Sequence, residues 1–342
     1  MPPGYAATPV GVGTFISAGR SLETALQRVE RAEALGYESV YTTHIAARDS
    51  LIVLAAYASR TERIRLGTGV LPIYSRTPVA TAQAAATIDE LSAGRMVLGL
   101  GVAHQVTVEN WFGSTIGKAV PEMREYAGAV RAMFRGEDPP AGEKFPTRFR
   151  FMGYQPRADL PIYIAALSPA MLRLAGQIGD GVMLWLCNPD YIRDVVVPEV
   201  TKGRERAGKT LEGFDIVAAV PAAVTDDVDV ARQSLRSDLI PYFTLPFYRA
   251  MIERSGYADE IGAFDEAMQR GDTEAGAAAI SDRFLEQLAA IGSAADAEAS
   301  VRRYIDAGAN SPCLGGVPKT DFDTTLKTLA GLTSGAPTAR AH

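Results

Sequence analysis

The 342-residue chain predicts a (β/α)8 barrel, and three observations carry that expectation. Short apolar strand candidates alternate with helical stretches along the chain, and eight such strands can be counted. Early strands end in glycine or a titratable side chain: 38–42 runs into Thr43-His44, 63–70 carries Gly67 and Gly69, and 95–101 carries Gly99 and Gly101. Ordinary strand interiors avoid glycine, so its recurrence at strand ends points to a face where backbone is left bare for a ligand. A doubly wound sheet shares the coarse pattern, but eight strands spread over the full length favour the barrel.

Residues 10–15 read as the first strand. Leu22, Leu26, Val29, Ala32 and Leu35 recur at helical spacing over 22–35, and Gly36 is a natural stop. The second strand, 38–42, is followed by helix 51–59, the third strand at 63–70, an Ala- and Thr-rich helix at 78–91 and the fourth strand at 95–101. Residues 102–120 read as a loop and 121–135 as a helix. Pro139, Pro140, Pro146 and Pro156 make 137–160 an excursion with at most a short hairpin. The fifth strand (162–166) follows Pro161, and helix 169–178 stops at Gly179. The sixth strand (181–186), a helix over about 190–207 and the seventh strand (214–220) come next. The segment 226–292 has helical stretches and no strong strand signal, so it reads as a helical insertion between the seventh and eighth strands. Helix 296–307, the eighth strand at 311–317 and helix 320–332 complete one domain over 1–334; 335–342 reads as a disordered tail.

Composition narrows the functional classes. With 47% hydrophobic and 22% charged residues, the chain has the makeup of a soluble globular protein. A net charge of −6 without Lys/Arg runs argues against a nucleic-acid binder. No apolar run is long enough to span a bilayer, and Met1-Pro2-Pro3-Gly4 lacks the basic and apolar regions of a signal peptide. Cys187 and Cys313 are isolated, which fits a reducing compartment without a structural disulfide. The expectation is a cytoplasmic protein acting on a small molecule, with no nucleic-acid or membrane partner; a homodimer is left open.

Few residues can carry chemistry. Of three histidines, His342 is terminal, His44 falls at the end of the second strand, and His104 lies just beyond the fourth. At a barrel mouth His44 can exchange a proton near neutral pH; the alternative is a polar residue capping a loop. No His-Glu-x-x-His pair supports a metal site, and no Gly-x-Ser-x-Gly elbow supports a serine hydrolase. Ser168 sits where an N-cap belongs and Pro169 where a first helical residue belongs, so free N–H groups there face the mouth and can hold an anion. An ordinary capped helix looks the same, and barrels more often hold phosphate after the seventh and eighth strands. Gly67 and Gly69 also fit a structural bulge.

Together these segments resemble the luciferase-like family of flavin and deazaflavin oxidoreductases. The residues that carry the resemblance are 34–40 (Ala-Leu-Gly-Tyr-Glu-Ser-Val), 64–70 (Ile-Arg-Leu-Gly-Thr-Gly-Val), 86–95 (Ala-Thr-Ile-Asp-Glu-Leu-Ser-Ala-Gly-Arg), 98–103, 165–169 and Gly179-Asp180-Gly181. The match is closest to the branch that uses coenzyme F420, a deazaflavin that transfers hydride. The resemblance implies a barrel with an insertion, F420 as cofactor with FMN as the alternative, and His44 in proton transfer. It implies cofactor contacts from Thr43, Gly69, Val70, Gly101, Ala103, Gln105, Ala166, Leu167, Ser168, Ala170 and Met171, with no metal. It also implies a cis peptide between Gly69 and Val70. Thr43 replaces an Asp common in the branch, and Val102 stands where a sugar-phosphate dehydrogenase has a catalytic Glu, which argues against that substrate. Arg148, Arg150 and Arg157 are candidate partners for the polyglutamate tail of F420, or else solvated surface charge. Asp180 reads as a structural turn residue, and Trp185 as core packing, the alternative being a residue that reaches the cofactor end of its strand. The rival functions are an FMN-dependent monooxygenase and a flavin-binding barrel without catalysis.

Overall fold

The computed structural model describes residues 11–17, 19 and 21–333; the tail at 335–342 lies outside them. Eight parallel strands follow one another around a ring: Gly13–Phe15, Ser39–Thr42, Arg65–Thr68, Met96–Gly101, Ile162–Ala165, Gly181–Leu184, Asp215–Val224 and Ser311–Gly316. The eighth closes the ring, with Cys313 opposite Ala219 of the seventh and also opposite Gly13 of the first. The fold is a (β/α)8 barrel with a helical insertion between the seventh and eighth strands.

Strand alternation separates two cores. Tyr41, Val97, Tyr163, Met183, Val217 and Cys313 fill the barrel, with Phe15 and Val70 packed against them. Their neighbours Val40, Leu66, Met96, Leu98, Ile162, Ile164, Val182 and Ile216 face the surrounding helices. Burial on both faces is why these strands read as near-continuous apolar runs. Both cysteines are buried and free.

The N-terminal end of the barrel is plugged by charge. Arg65, at the start of the third strand, reaches Asp215 Oδ2 at 3.0 Å, Tyr163 Oη at 3.2 Å and Glu38 Oε1 at 3.2 Å. The Tyr163 hydroxyl donates to the same Asp215 carboxylate. The opposite end, where the strands terminate in small residues, is left for chemistry.

The third strand is shorter than the expected 63–70 because it bulges. Leu66 lies opposite Met96, an offset of 30 (96 − 66), whereas Leu71 lies opposite Leu100, an offset of 29 (100 − 71). One extra residue is therefore accommodated between Gly67 and Leu71. Thr68 spans the gap: its hydroxyl donates to Gly99 O at 2.7 Å and accepts from Gly99 N at 2.9 Å. The Gly69–Val70 peptide within the bulge is cis.

Two further differences have physical reasons. The expected loop 102–120 contains a helix, Gln105–Trp111, whose Val- and Thr-rich sequence has poor intrinsic helicity and which is anchored by buried Val108. The insertion ends in a short strand, Ala290–Gly292, which pairs with an extension of the seventh strand at Ala222–Val224; three residues are too few to leave a period-2 signal. Before it run five helices, Val228–Thr244, Pro246–Arg254, Ala258–Gln269, Thr273–Ala278 and Asp282–Leu288. The first, third and fifth share an aromatic core in which Phe243 contacts Phe264 and Phe284, at centroid distances of 5.5 and 5.6 Å.

Candidate active site

The C-terminal strand ends bring most of the residues singled out from the sequence to one mouth. Thr43 and His44 follow the second strand, and the Thr43 hydroxyl shares a 3.0 Å hydrogen bond with Ser17 beyond the first. Six residues later, helix Ser50–Ala58 begins, capped by Asp49, which accepts from Leu51 N and Ile52 N. The half-buried His44 ring rests on this helix start. Ser50 N lies 3.3 Å from His44 Nδ1, and Ser50 Oγ lies 3.1 Å from it. A backbone N–H can only donate, so Nδ1 is the acceptor and the neutral ring carries its proton on Nε2. Burial lowers the His44 pKa below the ordinary imidazole value; Asp49 opposes the shift and Arg76 reinforces it. The positive end of the helix dipole acts in the same direction.

Beside it, the third and fourth strands end in bare backbone. A Cβ on Gly69 would lie 2.5 Å from the Phe15 ring, and one on Gly101 would lie 2.4 Å from Val70 Cγ2. No side chain fits at either position without displacing its neighbour, so two adjacent strand ends present a flat floor with Val70 between them. Ala103 turns the chain with a φ of 58°, which aims the next residues into helix Gln105–Trp111. Gln105 is exposed, and its amide donates to Glu109 of the same helix at 2.8 Å.

After the fifth strand the anticipated cap is present. Ser168 Oγ accepts from Met171 N at 3.3 Å, Pro169 opens helix Pro169–Ile178, and Leu172 N bonds Ser168 O at 2.9 Å. Buried Met171 therefore has its N–H taken up by the cap. Ala166 N bonds Met183 O at 3.2 Å, and Tyr191 Oη donates to Leu167 O at 2.7 Å, which fixes the turn. Among the described residues, the N–H groups of Leu167, Ser168 and Ala170 make no hydrogen bond. Three uncommitted donors at a helix start suit an anion.

The candidate tail-binding arginines separate on inspection. Arg157 holds buried Asp89 through bonds of 2.9 and 3.0 Å, and Arg150 pairs with Asp138 at 2.8 Å. Arg148 makes no ion pair among the described residues and lines an open hollow of about 360 Å³ with Lys144 and the helix start at Thr77-Pro78. Asp180 is structural, accepting from Ile162 N at 2.9 Å and pairing with Arg131.

One side of the mouth includes two residues the sequence did not point to, Tyr242 and Tyr248. Trp185, beyond the sixth strand, meets Tyr242 of the insertion at a centroid distance of 5.8 Å. Tyr242 meets Tyr248 at 4.9 Å, and the His104 ring lies 6.5 Å from the first and 5.7 Å from the second. Burial lowers the His104 pKa and raises those of both tyrosine hydroxyls, so all three rings are neutral near pH 7. Trp185 and His104 are legible here from their positions after strands; the two tyrosines are not, because the insertion carries no signal of which face meets the barrel.

Comparison with known proteins agrees with this architecture. A profile of the luciferase-like monooxygenases matches residues 5–311. A 5,10-methylenetetrahydromethanopterin reductase of Archaeoglobus fulgidus is 32% identical over 287 residues, covering 82% of this chain and 85% of the relative. A Mycobacterium tuberculosis protein provisionally named a coenzyme F420-dependent oxidoreductase is 29% identical over 286 residues, covering 77% of this chain and 82% of the relative. The solved coenzyme F420-dependent tetrahydromethanopterin reductase of Methanopyrus kandleri superposes with a TM-score of 0.81 at 22% identity, covering 94% and 98% of the two chains, and shows the shared fold. With nearly its whole length matched by one profile, the chain is an oxidoreductase that belongs to the luciferase-like monooxygenase family.

Proposed function

We propose that this protein is a coenzyme F420-dependent oxidoreductase acting on a small organic substrate. What supports the cofactor is a fit between residues and ligand, together with relatives whose names specify F420. The bare strand ends at Gly69 and Gly101 leave room for a planar ring against Val70, and the uncommitted N–H groups of Leu167, Ser168 and Ala170 suit its phosphate. Thr43, Ala103 and Ala166 complete the outline of the cofactor cleft, and Gln105 turns to it only by leaving Glu109. Arg148 is the arginine available for a carboxylate tail. The three uncommitted N–H groups beside a side-chain-free floor are the observation that carries this reading.

When bound, F420 supplies two-electron hydride transfer, and the protein supplies position and proton handling. His44 presents Nε2–H to a substrate heteroatom and polarises it. As the imidazolium, with Nδ1–H turned to Ser50 Oγ, it releases the proton that accompanies reduction. Its lowered pKa keeps that acid a minority species at neutral pH, so the ring is readily returned to the neutral state.

Parallel titration with F420 and FMN, followed by ring fluorescence, tests the assignment. Tighter binding of F420 supports it. Tight FMN binding with no response to F420 moves the protein to the monooxygenase chemistry for which the family is described.

A further inference from the structure

The insertion brings an aromatic wall to the barrel mouth, and the proposed cofactor contacts do not use it. Tyr242 ends the first insertion helix and Tyr248 lies in the next, while His104 and Trp185 come from the barrel itself. The rings meet tilted or edge-on, with interplanar angles of 57° to 74°. All four residues are only partly buried, so the cluster keeps ring surface open to a further flat group, and stacked or edge-to-face partners are favoured beyond simple area burial.

Two polar groups on this wall lack partners. The indole N–H of Trp185 is buried and makes no hydrogen bond of good geometry; it lies towards the Tyr242 hydroxyl, whose pKa burial raises and the indole lowers. Asp238 lies one turn before Tyr242 on the same helix, so the two side chains share a face. Among the described residues Asp238 forms no ion pair and no side-chain hydrogen bond. Desolvation raises its pKa, and its charge is felt at the Tyr242 hydroxyl. Asp238 is exposed, so its carboxylate stands open at the edge of the wall, one turn from Tyr242.

The geometry points to this wall as the substrate-recognition surface. It takes a flat ring that carries a cationic or N–H-donating nitrogen: the ring packs among Tyr242, Tyr248 and His104, and the nitrogen is received by Asp238. This assignment rests on the oxidoreductase reading for its biological meaning but not for its test.

Trp185 is one of two tryptophans, so a Trp111→Phe background makes it the sole indole reporter. Trp111 is exposed on helix Gln105–Trp111, away from these contacts. In that background, Trp185 fluorescence is titrated with benzylamine, cyclohexylmethylamine and benzyl alcohol, without cofactor. Benzylamine should bind about tenfold more tightly than cyclohexylmethylamine, as one or two ring contacts predict, and about threefold more tightly than benzyl alcohol, as one exposed charge contact predicts. Asp238→Asn should abolish the preference over benzyl alcohol alone. Tyr248→Leu should abolish the preference over the puckered ring alone, and Tyr242→Phe should retain both preferences. Equal affinity for all three compounds in the unsubstituted wall overturns the proposal, as does a preference that survives both Asp238→Asn and Tyr248→Leu. Because no cofactor is present, failure here is distinguishable from failure to bind F420, which is measured separately. The wall variants should leave F420 affinity unchanged.

Discussion

Gly101→Ala isolates the requirement for bare backbone at the mouth. The added Cβ would stand 2.4 Å from Val70 Cγ2 and 3.5 Å from Ala165 Cβ. The second contact is ordinary, so the whole conflict lies with one methyl group. Val70 is β-branched, restricted at χ1, and held in the bulge, so it cannot swing aside freely. Overpacking of this kind costs about 1–3 kcal/mol. Removing the offending methyl with Val70→Ala should relieve it. The double variant should be more stable than the sum of the single effects predicts by at least about 1 kcal/mol, within the range measured for residues in contact. Urea unfolding followed by circular dichroism gives the four stabilities, and fluorescence titration gives cofactor affinity for the same proteins. Gly101→Ala should weaken cofactor binding, and Val70→Ala should restore part of it. Strict additivity in both measurements would refute the idea that these residues meet at a shared floor.

Other consequences follow from the same geometry. His44→Asn should lower turnover roughly 10²–10⁴-fold with little change in cofactor affinity. Because the His44 pKa is lowered and the protonated ring is the acid, the wild-type reduction rate should fall as pH rises through a value below 6.5, and this ionisation should vanish in the variant; a profile that persists in His44→Asn but is lost in His104→Asn would transfer the role. Ala166→Trp should block cofactor binding at the buried turn, whereas Ser168→Ala should weaken it only severalfold, because backbone N–H groups remain; intact binding in Ala166→Trp would place the phosphate elsewhere. Asp215→Ala should destabilise the barrel by about 2–4 kcal/mol, since among the described residues it leaves partly buried Arg65 with Glu38 as its one carboxylate partner, while residual folded protein keeps normal cofactor affinity. A loss below about 1 kcal/mol on urea unfolding would show that the floor network is dispensable.

The strands were legible in the sequence because each is buried on both faces and bounded by turns. What the sequence hides is where pairing breaks. Residues 63–70 read as one strand, yet Gly69 and Val70 interrupt it, because a bulge is set by register with Met96–Gly101 and not by local composition. Helix Gln105–Trp111 is hidden for a related reason: Val106, Thr107 and Val108 favour extended backbone locally, and burial of Val108 against the core overrides that preference. Arg150 and Arg157 illustrate the limit for charge. From sequence they stand in one basic excursion with Arg148, but their carboxylate partners, Asp138 and Asp89, lie 12 and 68 residues away.

The site itself divides along the same line, between signals that are local and signals that depend on assembly. Ser168-Pro169 announces a helix start by its own chemistry, and the structure adds only which N–H groups remain uncommitted. Asp49-Ser50 ahead of the apolar run at 51–58 announces another, six residues after His44. That second start is a sequence-level clue to the tautomer of His44: a histidine in the short loop before a helix is within reach of the first free N–H groups. An acceptor at Nδ1 then leaves Nε2 as the donor. Tyr242 and Tyr248 carry no such clue. Their helices are amphipathic around their own aromatic core of Phe243, Phe264 and Phe284, so the pattern explains why they fold but not which remaining face meets Trp185 and His104. The proposed cofactor-side residues are thus legible from the barrel, whereas Tyr242 and Tyr248 of the proposed substrate wall belong to an insertion whose docking is a property of the assembled molecule.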